Sequence, residues 1–338
     1  MEKIARPRLF YLDLIRAIAL ICILIIHFNA AVTGYFTYPS KLFGSVLPFG
    51  IYLGDFGSSL FFMVSGAALA YTAKPQPTLD FYKKRAKAIY PMFWLAWAVC
   101  FSIRFVAKPW YYAGAKAPTL LFTALGLDQF AVAANWVSMD YACVGEWFLG
   151  SILFLYLLFP LLLKALRKNA GLTWLLCACL ALPLHWFGVE SKLLAIHLLE
   201  FMFGMTFVMQ PPRFQRMALP AGAVLLLPVT LLGDTKLNSA LLTAAVFALL
   251  AWVGPYCAKG LLPKLCALLG KYAYAVFLVH HVIILRLVEG FDLAAISRTS
   301  TVLLFGVYLL ATGCAARALY WADGKLQKSF AGFLHAPQ

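Results

Sequence analysis

The chain has 338 residues, 63% of them hydrophobic and 12% charged, with a formal net charge of +15 at pH 7. A soluble domain carries roughly twice that share of charged residues and only about 45–50% apolar ones, so the composition excludes a soluble core and points to a bilayer. The positive charge is explained by membrane topology, because Lys and Arg accumulate in cytoplasmic loops, and it gives no reason to expect nucleic acid.

Backbone inside hydrocarbon must be paired within helices or a closed barrel. Runs such as Ile18 to Ile26 and Ile152 to Leu163 are apolar on every face and lack the period-two alternation of barrel strands. The expected fold is therefore all-α, a polytopic helical bundle. In chain order, spans are predicted at 9–32, 50–72, 88–107, 145–165, 171–187, 192–209, 218–233, 239–256, 267–288 and 299–321. Ten spans place both termini on one side. That side receives nineteen Lys and Arg and the other eight, with Arg16 set aside as intramembrane, so the termini are expected to be cytoplasmic. The first span has no small-residue cleavage site after it and carries Asp13, Arg16 and His27, unlike a removable signal. The long connection 108–143 reads as an outer-side re-entrant or interfacial segment, since a full span there would invert every later loop. The whole of 1–338 is expected to form one membrane domain.

Charged groups within a span cost at least about 2.5–3.5 kcal/mol each on insertion scales, so each requires a reason. In the first helix Arg16 and His27 are eleven residues apart, almost three whole turns, and point the same way. Asp13 lies three residues before Arg16, where carboxylate and guanidinium meet. The bland reading is an interfacial ion pair plus a hydrogen-bonded core histidine. The functional reading is a polar stripe ending in an imidazole, the side chain best matched to proton transfer near neutral pH. The eight cysteines are scattered, form no C-x-x-C pair and read as small buried hydrophobes. No His/Cys cluster has zinc-site spacing, so no metal is expected.

Leu12-Asp13-x-x-Arg16-Ala17-x-Ala19, followed by His27, resembles the first-helix signature of the membrane-bound acyltransferase-3 family. Further matches follow in order: Phe61-Phe62-x-x-Ser65-Gly66, Phe81-x-x-x-Arg85 with Ile89-Tyr90-Pro91, Trp147-Phe148-Leu149 with Tyr156 and Pro160, Phe203-Gly204-Met205, and Gly270 with Tyr274, Leu278 and His280. The resemblance covers nearly the whole chain. It implies a stand-alone enzyme of the bacterial inner membrane, without a fused esterase-like domain. Such an enzyme moves an acyl group, often acetyl, from cytoplasmic acyl-coenzyme A to a hydroxyl of a saccharide or related envelope acceptor, with no permanently bound cofactor. Two positions depart from the family pattern: Ala88, beside Lys87, stands where relatives often have a second Arg, and Ala273 where they often have Ser.

On this reading His27 is the general base, and Arg16 with Asp13 holds the donor or shapes its channel. Arg85, Lys84 and Lys87, with Lys83, form a basic cluster suited to the phosphates of coenzyme A, or to positive-inside flanking and anionic lipid. Glu146, Trp147, His280 or His281, and Ser65 are acceptor-side or channel candidates. For Ser65-Gly66 a helix crossing is the simpler account. His197 and Glu200, three apart, are placed to pair. The alternative function is a secondary transporter or flippase of a glycolipid or acyl compound, which ten helices and midplane polar residues also suit, although no internal repeat is visible.

Overall fold

The computed structural model describes residues 7–33, 42–187, 196–211 and 235–334, together with 217, 220, 222 and 224. The described residues form eleven α-helices and no β-strand. In chain order these are α1 (Phe10–Val32), α2 (Leu53–Thr72), α3 (Thr78–Ala107), α4 (Leu120–Leu125), α5 (Asp128–Ala133), α6 (Glu146–Lys168), α7 (Ala170–Trp186), α8 (Leu198–Met209), α9 (Thr235–Val253), α10 (Leu262–Val288) and α11 (Arg298–Leu334). Seven described helices are long and apolar enough to cross a membrane. The 17-residue α7 and the 12-residue α8 are apolar but shorter than the ~20 residues a perpendicular span requires. The expected span 218–233 lies almost entirely outside the described residues.

Two boundaries differ from the sequence reading for the same reason. α3 begins at Thr78, ten residues before the predicted start, and α11 runs to Leu334, thirteen past the predicted end. Hydropathy marks only the lipid-matched part of a helix, whereas helical hydrogen bonding continues through polar turns outside the bilayer. The basic residues Lys83, Lys84, Arg85 and Lys87 thus stand on a helix.

The chain divides into two compact units. The first comprises residues 1–26, 45–76 and 154–271. Its core joins the N-terminal part of α1 (Ile15, Ala19), α2 (Leu60, Met63, Ala67), α8 (Phe207) and α9 (Phe247, Ala248), all buried. Helices α2 and α8 approach at two glycines. A Cβ on Gly66 would stand 2.0 Å from the Phe201 carbonyl oxygen, and one on Gly204 1.8 Å from that of Met63. Neither space admits a side chain, which explains Ser65-Gly66 and Phe203-Gly204-Met205 as the two halves of one helix crossing. Between α6 and α7 the chain turns at Asn169, whose side chain accepts from the Leu172 amide at 3.0 Å and caps α7.

The second unit comprises residues 27–44, 77–153 and 272–338. Here the connection 108–143 contains only short helices, the longest of six residues. Three aromatic donors on α3 hold it: Tyr90 Oη to the Leu125 carbonyl (3.2 Å), Trp94 Nε1 to Ala124 (2.9 Å) and Trp97 Nε1 to Tyr141 (2.9 Å). Ala124 and Leu125 close the last turn of α4 and Tyr141 lies in the loop before α6, so each bond satisfies a carbonyl at a helix end or in a loop. Gly126 ends α4 in the left-handed region, at φ 73°, with Leu149 packed against the space a Cβ would occupy.

Asp140, on this segment, accepts from the Ala142 amide at 3.0 Å through Oδ1, while its buried Oδ2 has no partner among the described residues. Burial raises its pKa above the usual carboxylate value. A carboxyl whose folded pKa lies above its unfolded one loses stability as pH rises through that interval, and the penalty persists above it. Asp140→Asn keeps the acceptor oxygen and removes the charge. It is expected to raise the melting temperature at pH 7–8, with the gain shrinking toward pH 3 in a thermal-shift series.

Candidate functional site

In the first unit, Asp13 is buried on α1 between two cations. Arg8 Nε donates to Oδ2 at 2.5 Å, and Arg16 Nη1 lies 3.5 Å from Oδ1. The spacing of three residues puts Arg16 one turn beyond Asp13, as expected from sequence. Gly270 of α10 faces this pair closely: a Cβ there would lie 3.6 Å from Arg16 Nη1 and 3.7 Å from Asp13 Oδ1. The Tyr156 phenol of α6 is within electrostatic reach of Arg16. Four residues drawn from three family-like motifs therefore meet at one place. The closer contact of Asp13 is with Arg8, at 2.5 Å against 3.5 Å for Arg16.

In the second unit, three imidazoles meet. The His27 ring lies 4.9 Å from that of His280 and 5.0 Å from that of His281, both edge-on. His280 is buried, whereas His27 and His281 are partly exposed. His280 Nδ1 is 2.8 Å from the Phe277 carbonyl oxygen and 3.1 Å from that of Val276. Only a donor is satisfied there, so Nδ1 carries the proton and Nε2 the lone pair. The buried Nε2 has no hydrogen-bond partner among the described residues. Phe277 links this trio to α6 through Phe148, with ring centroids 5.2 Å apart, and Phe148 packs edge-on against Trp147 at 6.0 Å. Trp147 and His280, both predicted acceptor-side candidates, thus belong to one aromatic–imidazole cluster with His27.

Arg104 also acts electrostatically on His281, and its guanidinium lies 4.7 Å from the Tyr111 ring centroid. Arg104 lies within the predicted span 88–107, and the charge count takes it only as one of the outer-side cations. The missed signal was a cation in the last turn of an apolar helix, followed within a few residues by Trp110, Tyr111 and Tyr112.

The remaining candidates fall as follows. Lys83, Lys84 and Lys87 are exposed along the first turns of α3. Arg85 is partly buried, with its guanidinium 5.9 Å from the Phe81 ring centroid and its Nε without a hydrogen-bond partner among the described residues. Ser65 is half-buried beside the α2–α8 crossing. Glu146 opens α6, and its side chain lies outside the described ones. His197 and Glu200 do pair: Nδ1 lies 3.3 Å from Oε1, with Ser59 Oγ at 3.4 Å from the same oxygen and the His197 ring stacked 4.1 Å from Phe62. Both are buried, and the adjoining cavity holds about 20 Å³, room for a single water. Among the described residues no group of three or more His, Cys, Asp and Glu is placed to hold a metal.

Tyr274 joins two further motifs, its hydroxyl donating at 3.1 Å to the carbonyl of Ile89 in the Ile89-Tyr90-Pro91 sequence. Tyr274→Phe is expected to lower stability by about 1 kcal/mol, read as a reduced melting temperature. His27 shares the unit but not the contact, so the acyl-donor KM should change little.

Seven long apolar helices carrying buried ion-pair and imidazole clusters define a multi-pass membrane protein with built polar sites. The family model described as an acyltransferase domain matches residues 9–321, nearly the whole chain, and the protein belongs to acyltransferase family 3. It is therefore a membrane acyltransferase. No curated protein and no solved structure matches the chain.

Proposed function

We propose that the protein transfers an acyl group, most simply acetyl, from acyl-coenzyme A to a hydroxyl of a saccharide or related cell-envelope acceptor, in a bacterial inner membrane with both termini cytoplasmic. The observation that carries this reading is the imidazole cluster, with a partly exposed His27 backed by a buried His280 of fixed tautomer. An alcohol is a weak nucleophile and requires a base within hydrogen-bond reach. His27 takes the acceptor's hydroxyl proton as the oxygen attacks the thioester carbonyl. The new C–O bond forms, the C–S bond breaks, and the proton passes to the departing thiolate. Arg16 supplies a cation for the phosphate-bearing donor, and Arg85 with Lys84 and Lys87 a second group of them.

Purified protein given acetyl-coenzyme A and a panel of saccharides should release free thiol in an acceptor-dependent manner, measured with a thiol reagent. Absence of both donor binding and turnover would sink the proposal in favour of transport. Arg16→Ala is a clean companion variant, since Asp13 keeps its 2.5 Å bond to Arg8 and is not left buried and unpaired. Its expected effect is a KM for the donor raised about tenfold or more, the loss of one charge-assisted contact, with the melting temperature little changed.

A further inference from the structure

Tyr272 of α10 and residues from Arg317 to Lys328 in the second half of α11 line a pocket of about 510 Å³ in the second unit. Apart from Gly324, its walls are two kinds of residue. Arg317, Lys325 and Lys328 are exposed cations, and Tyr272, Tyr320 and Trp321 are aromatic. Tyr272 and Tyr320 pack edge-on at 5.1 Å, and Lys325 Nζ lies 5.8 Å from the Trp321 ring centroid. Among the described residues the pocket has no acidic residue in its lining. The nearest carboxylate along the helix, Asp323, is buried and accepts instead from Gln327 at 2.8 Å.

Trp321 lines a second cavity as well. This groove, of about 650 Å³, lies among α3, α10 and α11 and is almost wholly apolar, walled by residues such as Val99, Ile103, Val282 and Leu319. A basic, aromatic-rimmed pocket that shares a wall with an apolar groove has the division of chemistry of a phospholipid, with its anionic head among cations and indole at the polar boundary and its acyl chain in hydrocarbon. A soluble phosphate would use the pocket but leave the groove without a role. Two of the three cations, Lys325 and Lys328, lie beyond the 9–321 stretch that matches the family, while Arg317 and the three aromatics lie within it.

We propose that this paired pocket and groove bind an anionic phospholipid. Its phosphate sits among Arg317, Lys325 and Lys328, and one acyl chain lies in the groove past Trp321.

The test is native mass spectrometry of the detergent-purified full chain, incubated with phosphatidylglycerol or with phosphatidylcholine of the same acyl chains. The wild type should retain phosphatidylglycerol over phosphatidylcholine. The R317Q/K325Q/K328Q variant should lose that preference by about tenfold or more, three surface charges being removed from an anionic contact. The charge-keeping K325R/K328R variant should retain it. All three cations are exposed, so folding is not at issue, and circular dichroism of each variant checks that directly. Equal retention of both lipids by the wild type, or undiminished phosphatidylglycerol retention by the triple Gln variant, overturns the proposal. Displacement of the bound lipid by coenzyme A overturns it too, since the pocket would then belong to the donor. Lipid retention is read independently of turnover, so the result stands apart from the acceptor and donor assignments above.

Discussion

His27→Ala is expected to lower acyl transfer by roughly 10²–10⁴-fold, the range a positioned general base supplies, with KM for the acyl donor nearly unchanged. The basis is geometric. His27 is the member of the imidazole trio that is both partly exposed and on the helix carrying Arg16. Its neighbour His280 is buried and committed through Nδ1 to two carbonyls of its own helix. Those bonds hold the His280 ring still and leave Nε2 as an acceptor, a description of a supporting group. They also make His280 the alternative base, since an unpaired buried lone pair is costly unless something meets it.

Comparing His27→Ala with His280→Ala in steady-state kinetics separates the two. If His27 is the base, its alanine variant loses turnover, while His280→Ala retains part of it with altered pH dependence. If His27→Ala turns over like wild type and His280→Ala does not, the roles are reversed. The buried His280 contributes to packing against Phe277, so each variant's melting temperature accompanies its rate.

Much of this arrangement was legible along the chain. Asp13, Arg16 and His27 stand on one helix, and helical periodicity alone aligns them. What periodicity does not supply is the partner helix. His280 and His281 are adjacent in sequence, and no one-dimensional pattern decides which of two neighbouring rings turns inward; both approach His27, and only the tertiary packing shows it. Arg8 escaped notice as the main partner of Asp13 because it precedes the helix, outside the i, i+3 and i, i+4 spacings from which ion pairs are read. Arg104 was hidden by topology counting, which treats a cation at a span end as loop charge. The fold class followed from composition, because hydrocarbon leaves the backbone so few options. Helix ends were the weakest part, since α3 and α11 extend as helices into polar sequence that hydropathy cannot assign.

Gly204→Ala is expected to abolish recovery of folded protein, or to leave it with a sharply lowered melting temperature. A Cβ at Gly204 would stand 1.8 Å from the Met63 carbonyl oxygen and 3.0 Å from the Ala67 nitrogen, all backbone atoms with no flexible side chain to yield. Relief requires α2 and α8 to move apart. That separation opens the packing around Gly66, Phe201 and Met205 and stretches the Ser59–Glu200 contact on the same two helices. Overpacking in a close-packed interior costs about 1–3 kcal/mol when side chains can adjust, and this site lacks that adjustment. The same substitution at Gly313 of α11 gives the opposite expectation, because a Cβ there meets nothing within 4 Å. Alanine is favoured over glycine inside a helix by about 0.5–1 kcal/mol, so Gly313→Ala should hold or raise the melting temperature. Fluorescence-detected size exclusion with a thermal ramp on both variants distinguishes a specific crossing from a general sensitivity to added methyl groups. If Gly204→Ala melts like Gly313→Ala, the two helices do not pack backbone to backbone, and Ser65-Gly66 would call for another explanation.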